Sequence, residues 1–126
     1  MKIALGIFLL LHGVAHLVGF VVSWRLMSNA EMPYKTTLLA GHWDVGAVGI
    51  RVNGLLWLVA ALTFAWAGMG VMRQAQWWET VTLSVSLASL AMCVVSWPEA
   101  RIGVFVNVAI LLFLLLNRKL NWLVNV

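Results

Sequence analysis

Charged residues are scarce in this sequence. Asp, Glu, Lys and Arg make up 10% of its 126 residues, whereas hydrophobic residues make up 63%. A soluble domain is about half apolar and about a quarter charged, so a soluble fold of this composition would expose large apolar patches. The scarcity of charge therefore argues against a water-soluble protein and favours a lipid environment.

Cysteine pairs and clustered charges are also lacking. The single cysteine, Cys93, has no second thiol with which to form an internal disulfide or a metal-binding pair. The net charge is +4, but the basic residues stand at the ends of apolar stretches and form no cluster of the kind that contacts phosphates. A disulfide scaffold is therefore excluded, and no nucleic acid is expected as a partner.

Four apolar stretches are long enough, or nearly so, to cross a hydrocarbon core about 30 Å thick as helices. They are continuous rather than alternating, which favours helices because a helix satisfies its own backbone hydrogen bonds. The predicted spans cover residues 3–24, 52–72, 78–97 and 102–117. Short connections force neighbouring helices to run antiparallel. The fold class is thus an all-α integral membrane protein, a four-transmembrane-helix up-down bundle that forms one domain over residues 1–126.

The one long connection is the loop over residues 25–51, part of which we expect to lie along the membrane interface as a short helix. The apolar stretch 45–50 leaves an earlier start of the second helix open. Lys and Arg are divided equally between the two sides of the membrane, so they do not set the orientation. Three of the four acids lie on the loop side, which favours cytoplasmic termini.

His12 and His16 are the clearest candidates for chemistry. They lie four residues apart near the middle of the first span, so one helix face presents both. Ionisable residues at this depth face the bundle interior or a wet cavity. Counting equal helical rises from the same membrane face places His12 level with Ser86 and Ser89, and His16 level with Ser89 and Cys93. These five residues form the predicted polar pocket.

Three interpretations of the histidine pair stay open. The two imidazoles either bridge helices by hydrogen bonds, or bind a metal ion or haem, or accept protons. A zinc site would need further ligands, for which Cys93 and His42 are the candidates. No acidic residue is expected inside the hydrocarbon, which excludes a di-iron carboxylate site and disfavours a proton-coupled transporter, although histidine itself titrates in a suitable range.

The secondary candidates are His42, Asp44 and Arg51. His42 and Asp44 form either a carboxylate–imidazole pair or an ordinary polar turn before the second helix. Arg51 interrupts an apolar stretch, so it either extends toward the headgroups or is buried against Asp44 or Glu99. Asn107 is expected to bridge helices near the same side of the membrane.

The segment LHGVAHLVGF at residues 11–20 resembles the LHGxxHLxGF start of small, largely uncharacterised bacterial four-span membrane proteins that are DoxX-like in general shape. The segments GLLWLVAAL at 54–62 and SWPEAR at 96–101 are similar to that group as well. The resemblance implies a bacterial inner-membrane location and a four-helix bundle. It brings no activity and no catalytic residue.

The leading functional hypothesis is a non-enzymatic inner-membrane protein, a binding or accessory subunit that works as a homodimer or within a larger membrane complex. The first alternative is a metal- or haem-binding redox protein that uses His12 and His16. The second alternative is a small histidine-coupled transporter. No sequence pattern assigns a reaction.

Overall fold

The computed structural model describes residues 1–121 as four long helices with a small β-ribbon in the longest connection. The helices are α1 (Lys2–Ser23), α2 (Gly46–Met72), α3 (Trp78–Val95) and α4 (Arg101–Leu120). Each is long and apolar enough to cross a membrane. The predicted all-α four-helix membrane bundle is confirmed. Residues 122–126 of the predicted domain lie outside the described part of the chain.

The second helix begins at Gly46 rather than at residue 52, because the apolar stretch 45–50 continues it. Arg51 therefore lies inside α2. Its side chain is exposed, and its guanidinium lies 5.5 Å from the centre of the Trp24 ring. Burial of Arg51 against an acid is wrong, since Glu99 pairs with Lys35 and Asp44 accepts a hydrogen bond from the N–H of Gly46.

The long connection contains a β-ribbon where the sequence suggested an interfacial helix. Strands β1 (Thr37–Leu38) and β2 (Trp43–Asp44) pair antiparallel, and residues 24–45 contain no helix. Leu39 and Ala40 have φ values of 53° and 55° in the turn, a left-handed conformation that a helix cannot contain. The N–H of Leu39 donates to the carbonyl oxygen of Val95 at 2.8 Å, so the ribbon is tied to the end of α3.

Small residues bring α1 and α2 into close contact. A Cβ added to Gly13 would lie 2.8 Å from the carbonyl oxygen of Ala61, and one added to Gly68 would lie 2.7 Å from that of Gly6. Such distances leave no room for a side chain. Close backbone approach through small residues is a usual way for membrane helices to associate, because lipid gives no hydrophobic driving force between them. These contacts, which we call the α1–α2 seam, make α1 and α2 the most closely packed pair of helices in the described part of the chain.

The fourth helix is held more loosely. It packs on α3, but its backbone stays apart from that of α1 over most of their length. Only 22% of the α4 span is buried, against 39% or more for each of the other three. The bundle is consequently open along the seam between α1 and α4.

One acid lies inside a span, contrary to expectation. Glu79 is in the first turn of α3, is buried, and pairs with Arg118 in the last turn of α4. Each charge also interacts favourably with the dipole of its own helix, which is positive at the N-terminus and negative at the C-terminus. The pair connects α3 and α4 at the end of the bundle opposite to the β-ribbon, far along the bundle axis from the histidines.

We expect reporter fusions near Lys35 and Ala100 to lie in one compartment and a fusion at Arg73 in the other. The hydrogen bond from Leu39 to Val95 brings the first two segments to one end of the bundle, and α2 carries Arg73 to the opposite end. Enzymatic reporters active on only one side of the membrane measure this. Equal reporter activity at Lys35 and Arg73 contradicts the four-span topology.

Gly13→Leu should lower the free energy of unfolding by about 1–3 kcal/mol, since overpacking a tight contact forces backbones apart. Val14→Leu is the matched control, because Val14 is 60% exposed on the same helix. Unfolding of the purified protein in mixed micelles, followed by circular dichroism, compares the two. Equal stability of the two variants would show that the α1–α2 seam is not tightly packed.

Candidate functional site

His12 and His16 lie on the buried face of α1, with exposed fractions of 9% and 2%. Their rings meet edge to face, with centroids 4.6 Å apart. The ring of Phe64 on α2 contacts both, at centroid distances of 4.7 and 5.0 Å. The i, i+4 spacing thus places both imidazoles in the bundle interior, among aromatic rings and away from lipid.

Both ring nitrogens of His16 are engaged. Nδ1 is 2.7 Å from the carbonyl oxygen of His12. A carbonyl only accepts, so Nδ1 carries the proton. In the neutral ring Nε2 is then an acceptor, and it accepts a hydrogen bond from the hydroxyl of Ser89 on α3, with Nε2 and Oγ 2.5 Å apart. These two bonds fix the tautomer and the orientation of His16.

Asn107 on α4 completes the network. Its Nδ2 donates to Ser89 Oγ at 2.9 Å and to the carbonyl oxygen of Gly103 at 2.8 Å. Its Oδ1 lies 3.3 Å from His12 Nε2, which therefore donates to it. In neutral His12 the remaining nitrogen, Nδ1, is an acceptor, and it has no hydrogen-bond partner among residues 1–121. The two histidines consequently differ: His16 is fully bonded, and His12 keeps one free lone pair.

The structure brings together four of the five residues of the predicted pocket. Cys93 is a buried free thiol, 3.7 Å from Asn107 Nδ2 and 4.0 Å from Ser89 Oγ. Ser86 is buried too, but its hydroxyl has no hydrogen-bond partner in the described part of the chain. His12 meets Asn107 on α4 instead of Ser86 on α3. Equal rises along two helices fix depth, whereas rotation of each helix about its axis decides which side chain faces which.

The secondary candidates lie elsewhere. His42 is exposed in the turn of the β-ribbon, where its Nδ1 donates to the carbonyl oxygen of Leu39 at 2.8 Å. Asp44 accepts a hydrogen bond from the N–H of Gly46 at the start of α2, and the Arg51 guanidinium lies against the Trp24 ring. None of the three joins the histidine network, and no hydrogen bond joins His42 to Asp44 among the described residues.

A cavity of about 320 Å³ lies along the open seam between α1 and α4. Its walls reach from the long loop near residues 29–32 and from Glu99, at one end, down to His12 and Val106. Both sides of the seam contribute small or apolar residues, namely Ala15, Val18, Gly19, Ile102 and Gly103. The free nitrogen of His12 therefore stands beside empty space rather than in a packed core.

Trp57 of α2 is a wall residue that the sequence prediction omits. Its ring lies 5.1 Å from that of His16, its side chain is only 5% exposed, and its Nε1 has no hydrogen-bond partner among residues 1–121. It borders both this cavity and a smaller one of about 40 Å³ beneath the loop. The sequence pointed to Trp57 only through its position, because it lies within a span, whereas tryptophans are usual at span ends.

Glu99 borders the same two cavities. Lys35 of the loop pairs with its Oε1, whereas its Oε2 is buried without a hydrogen-bond partner in residues 1–121. Burial by itself raises the pKa of the Glu99 carboxyl, but the hydrogen bond from Lys35, a hydrogen bond from the backbone N–H of Glu99 and the charge of Lys35 together outweigh this and lower the pKa below its ordinary value. Glu99 is therefore ionised at neutral pH.

The donor set does not fit a metal bound by both histidines. Within residues 1–121, no three side chains of His, Cys, Asp or Glu gather as ligands. His16 would have to give up Ser89 or the carbonyl of His12 before either nitrogen could bind a metal. Only His12 Nδ1 is open, and one imidazole falls short of the three or four ligands that protein zinc sites use.

The fold and the site define a class: a four-helix membrane bundle with a hydrogen-bonded histidine network beside a cavity that opens between two helices. The chain matches no family model, no curated protein and no solved structure. The resemblance of residues 11–20 to DoxX-like proteins accordingly stays a prediction.

Ser89→Ala should lower the free energy of unfolding by about 1 kcal/mol, the typical value for a hydrogen bond between membrane helices. Ser89 donates to His16 and accepts from Asn107. Ser86→Ala is the matched control, because Ser86 is equally buried on the same helix and its hydroxyl is unpartnered within the described residues. Its removal should be neutral or stabilising. Unfolding in mixed micelles measures both, and an equal loss in the two variants would contradict the network.

Proposed function

We propose that this protein is a membrane-embedded binding protein that takes a small, mostly apolar molecule from the bilayer into the cavity between α1 and α4. The observation that carries the proposal is the combination of this cavity with a wall residue, His12, whose acceptor Nδ1 is unused. Trp57, which also lines the cavity, holds a second unpartnered polar atom, the fully buried donor Nε1.

The size and lining of the cavity support this proposal. Pockets for small molecules usually measure about 300–1,000 Å³ and combine apolar walls with a few polar groups. The cavity has about 320 Å³, and most of its lining is apolar. Ala15 and Ile102, which line the cavity on α1 and α4, are both exposed. A ligand dissolved in lipid would therefore reach the seam without passing through water.

The polar atoms support a ligand with one or two hydrogen-bonding groups. A buried donor without a partner costs about 1–3 kcal/mol, so Trp57 gains from any acceptor that reaches its N–H. His12 Nδ1 gains from a donor in the same way. A hydroxyl or an amide on an otherwise apolar molecule provides both.

Binding is better supported than the two alternatives. A redox metal held by both histidines would need nitrogens that His16 already uses, and a haem with one axial histidine has only His12 Nδ1 to bind. A transporter would need access from both membrane faces, whereas the lining of this cavity comes from the loop-side half of the bundle and ends near His12 and Val106. A bacterial inner-membrane location belongs to the same proposal, and the resemblance of the first helix supports it. Cytoplasmic termini belong to it as well, and the three acids on the loop side support them. Assembly as a homodimer or within a larger complex is a further part.

Binding should be tested with the full chain in phosphatidylcholine nanodiscs, with 4-phenylbutan-1-ol and butylbenzene as probes. These molecules share an apolar body and differ by one hydroxyl. We expect saturable binding of the alcohol, by calorimetry against empty nanodiscs. The alcohol should bind about five- to tenfold more tightly than the hydrocarbon, because a net hydrogen bond contributes about 1 kcal/mol. His12→Leu should remove this preference.

The matched pair of variants for the cavity itself is Ala15→Phe and Val14→Phe. Ala15 lines the cavity, whereas its neighbour Val14 does not appear in the lining and is 60% exposed. The first variant should abolish binding and the second should preserve it. Heat signals that match those of empty nanodiscs, or that are unchanged in Ala15→Phe, would overturn the proposed function.

A further inference from the structure

The end of the cavity near the long loop, which we call its mouth, is lined by acidic residues, although the chain as a whole is positive. The charged residues in the lining are Glu31 and Glu99, whereas the net charge of the chain is +4. Lys35 offsets one of these two carboxylates, and the nearby Arg25 lies over the ring of Tyr34 at 4.6 Å. Glu31 and Glu99 are thus the charged residues of the lining itself, whereas Lys35 and Arg25 stand outside it.

Glu99 keeps an unused acceptor. Lys35 pairs with Oε1 alone, and Oε2 is buried without a hydrogen-bond partner among residues 1–121. A buried carboxylate oxygen is costly to leave without a donor. The missing partner is thus a hydrogen-bond donor, and a positively charged donor satisfies it best.

Trp57 is a second residue of the lining with an unpartnered polar atom. Its side chain is only 5% exposed, it borders the same cavity as Glu99, and its Nε1 has no hydrogen-bond partner among the described residues. From mouth to floor, the cavity is therefore lined by two carboxylates, then by apolar walls that include Trp57, and finally by His12 with its free acceptor.

We propose that the ligand of this cavity is a cationic amphiphile, an organic ammonium group on an apolar body, with its ammonium at Glu99 and Glu31 and its body along the α1–α4 seam toward His12. This inference rests on the proposed function and adds the chemical class of the ligand. The ammonium pairs with the Glu99 carboxylate, whose Oε2 has no hydrogen-bond partner among residues 1–121, and Glu31 adds attraction from the more exposed side of the mouth. Anionic amphiphiles of the same shape are rejected by the same two carboxylates.

The test compares 4-phenylbutylamine, 4-phenylbutan-1-ol and 5-phenylpentanoate at pH 7, with the full chain in phosphatidylcholine nanodiscs. A zwitterionic lipid keeps the membrane itself from selecting by charge. We expect the amine to bind about tenfold more tightly than the alcohol, because a hydrogen bond to a charged group is stronger than one between neutral groups. The carboxylate should bind most weakly. Glu99→Gln should bring the amine to the affinity of the alcohol.

Lys35→Met separates recognition from a merely structural role of the ion pair. Both variants break the contact between Lys35 and Glu99, so a structural role predicts that both weaken every probe alike. If Glu99 binds the ammonium, Lys35→Met should strengthen amine binding severalfold, because it removes the competing cation, whereas Glu99→Gln weakens it. Opposite signs support the inference, and equal signs overturn it.

The outcome also distinguishes this inference from the proposed function. Saturable binding of the alcohol and the amine with equal affinity, unchanged by Glu99→Gln, would overturn the ammonium assignment and leave the binding function in place. Binding of none of the three probes above the level of empty nanodiscs would overturn both.

Discussion

The carboxamide of Asn107 is the link on which the polar interior of this bundle depends. It accepts from His12 on α1 and donates to Ser89 on α3, and so connects three helices through one side chain. The backbone of α4 stays apart from α1, and α4 is the least buried of the four spans. Within hydrocarbon no water replaces a lost partner, so this amide ties α4 to both α1 and α3.

The same hydrogen bonds give two identical side chains different roles. His16 uses one nitrogen on the carbonyl of its own helix and the other on Ser89, so it orients its neighbours and has no capacity left for a ligand. His12 uses one nitrogen on Asn107 and keeps the other beside the cavity. A pair that looks like a metal motif in sequence thus becomes one structural imidazole and one available acceptor.

Local sequence patterns predict the four spans but not the start of α2, the β-ribbon or the acid inside a span. Apolar length is a local property, and it predicts all four spans. The start of α2 depends on whether a helix tolerates Arg51, which it does because the guanidinium lies against Trp24 at the surface. The β-ribbon depends on the left-handed turn at Leu39 and on its bond to Val95, a residue distant in sequence. Glu79 is tolerated in a span because Arg118 on α4 forms an ion pair with it.

The sequence by itself determined that the chain spans a membrane four times and that His12 and His16 share one buried helix face, because hydropathy and the 3.6-residue period act within one helix. Even the approximate level of Ser89 and Cys93 followed from counting rises. Only the tertiary structure decided that Asn107 and not Ser86 meets His12, that Asn107 bridges to Ser89 in particular, and that Trp57 and Glu99 border a cavity. Those outcomes depend on how each helix is rotated and how far apart the helices lie. Side-chain packing between segments distant in sequence sets both quantities, so no single segment encodes them.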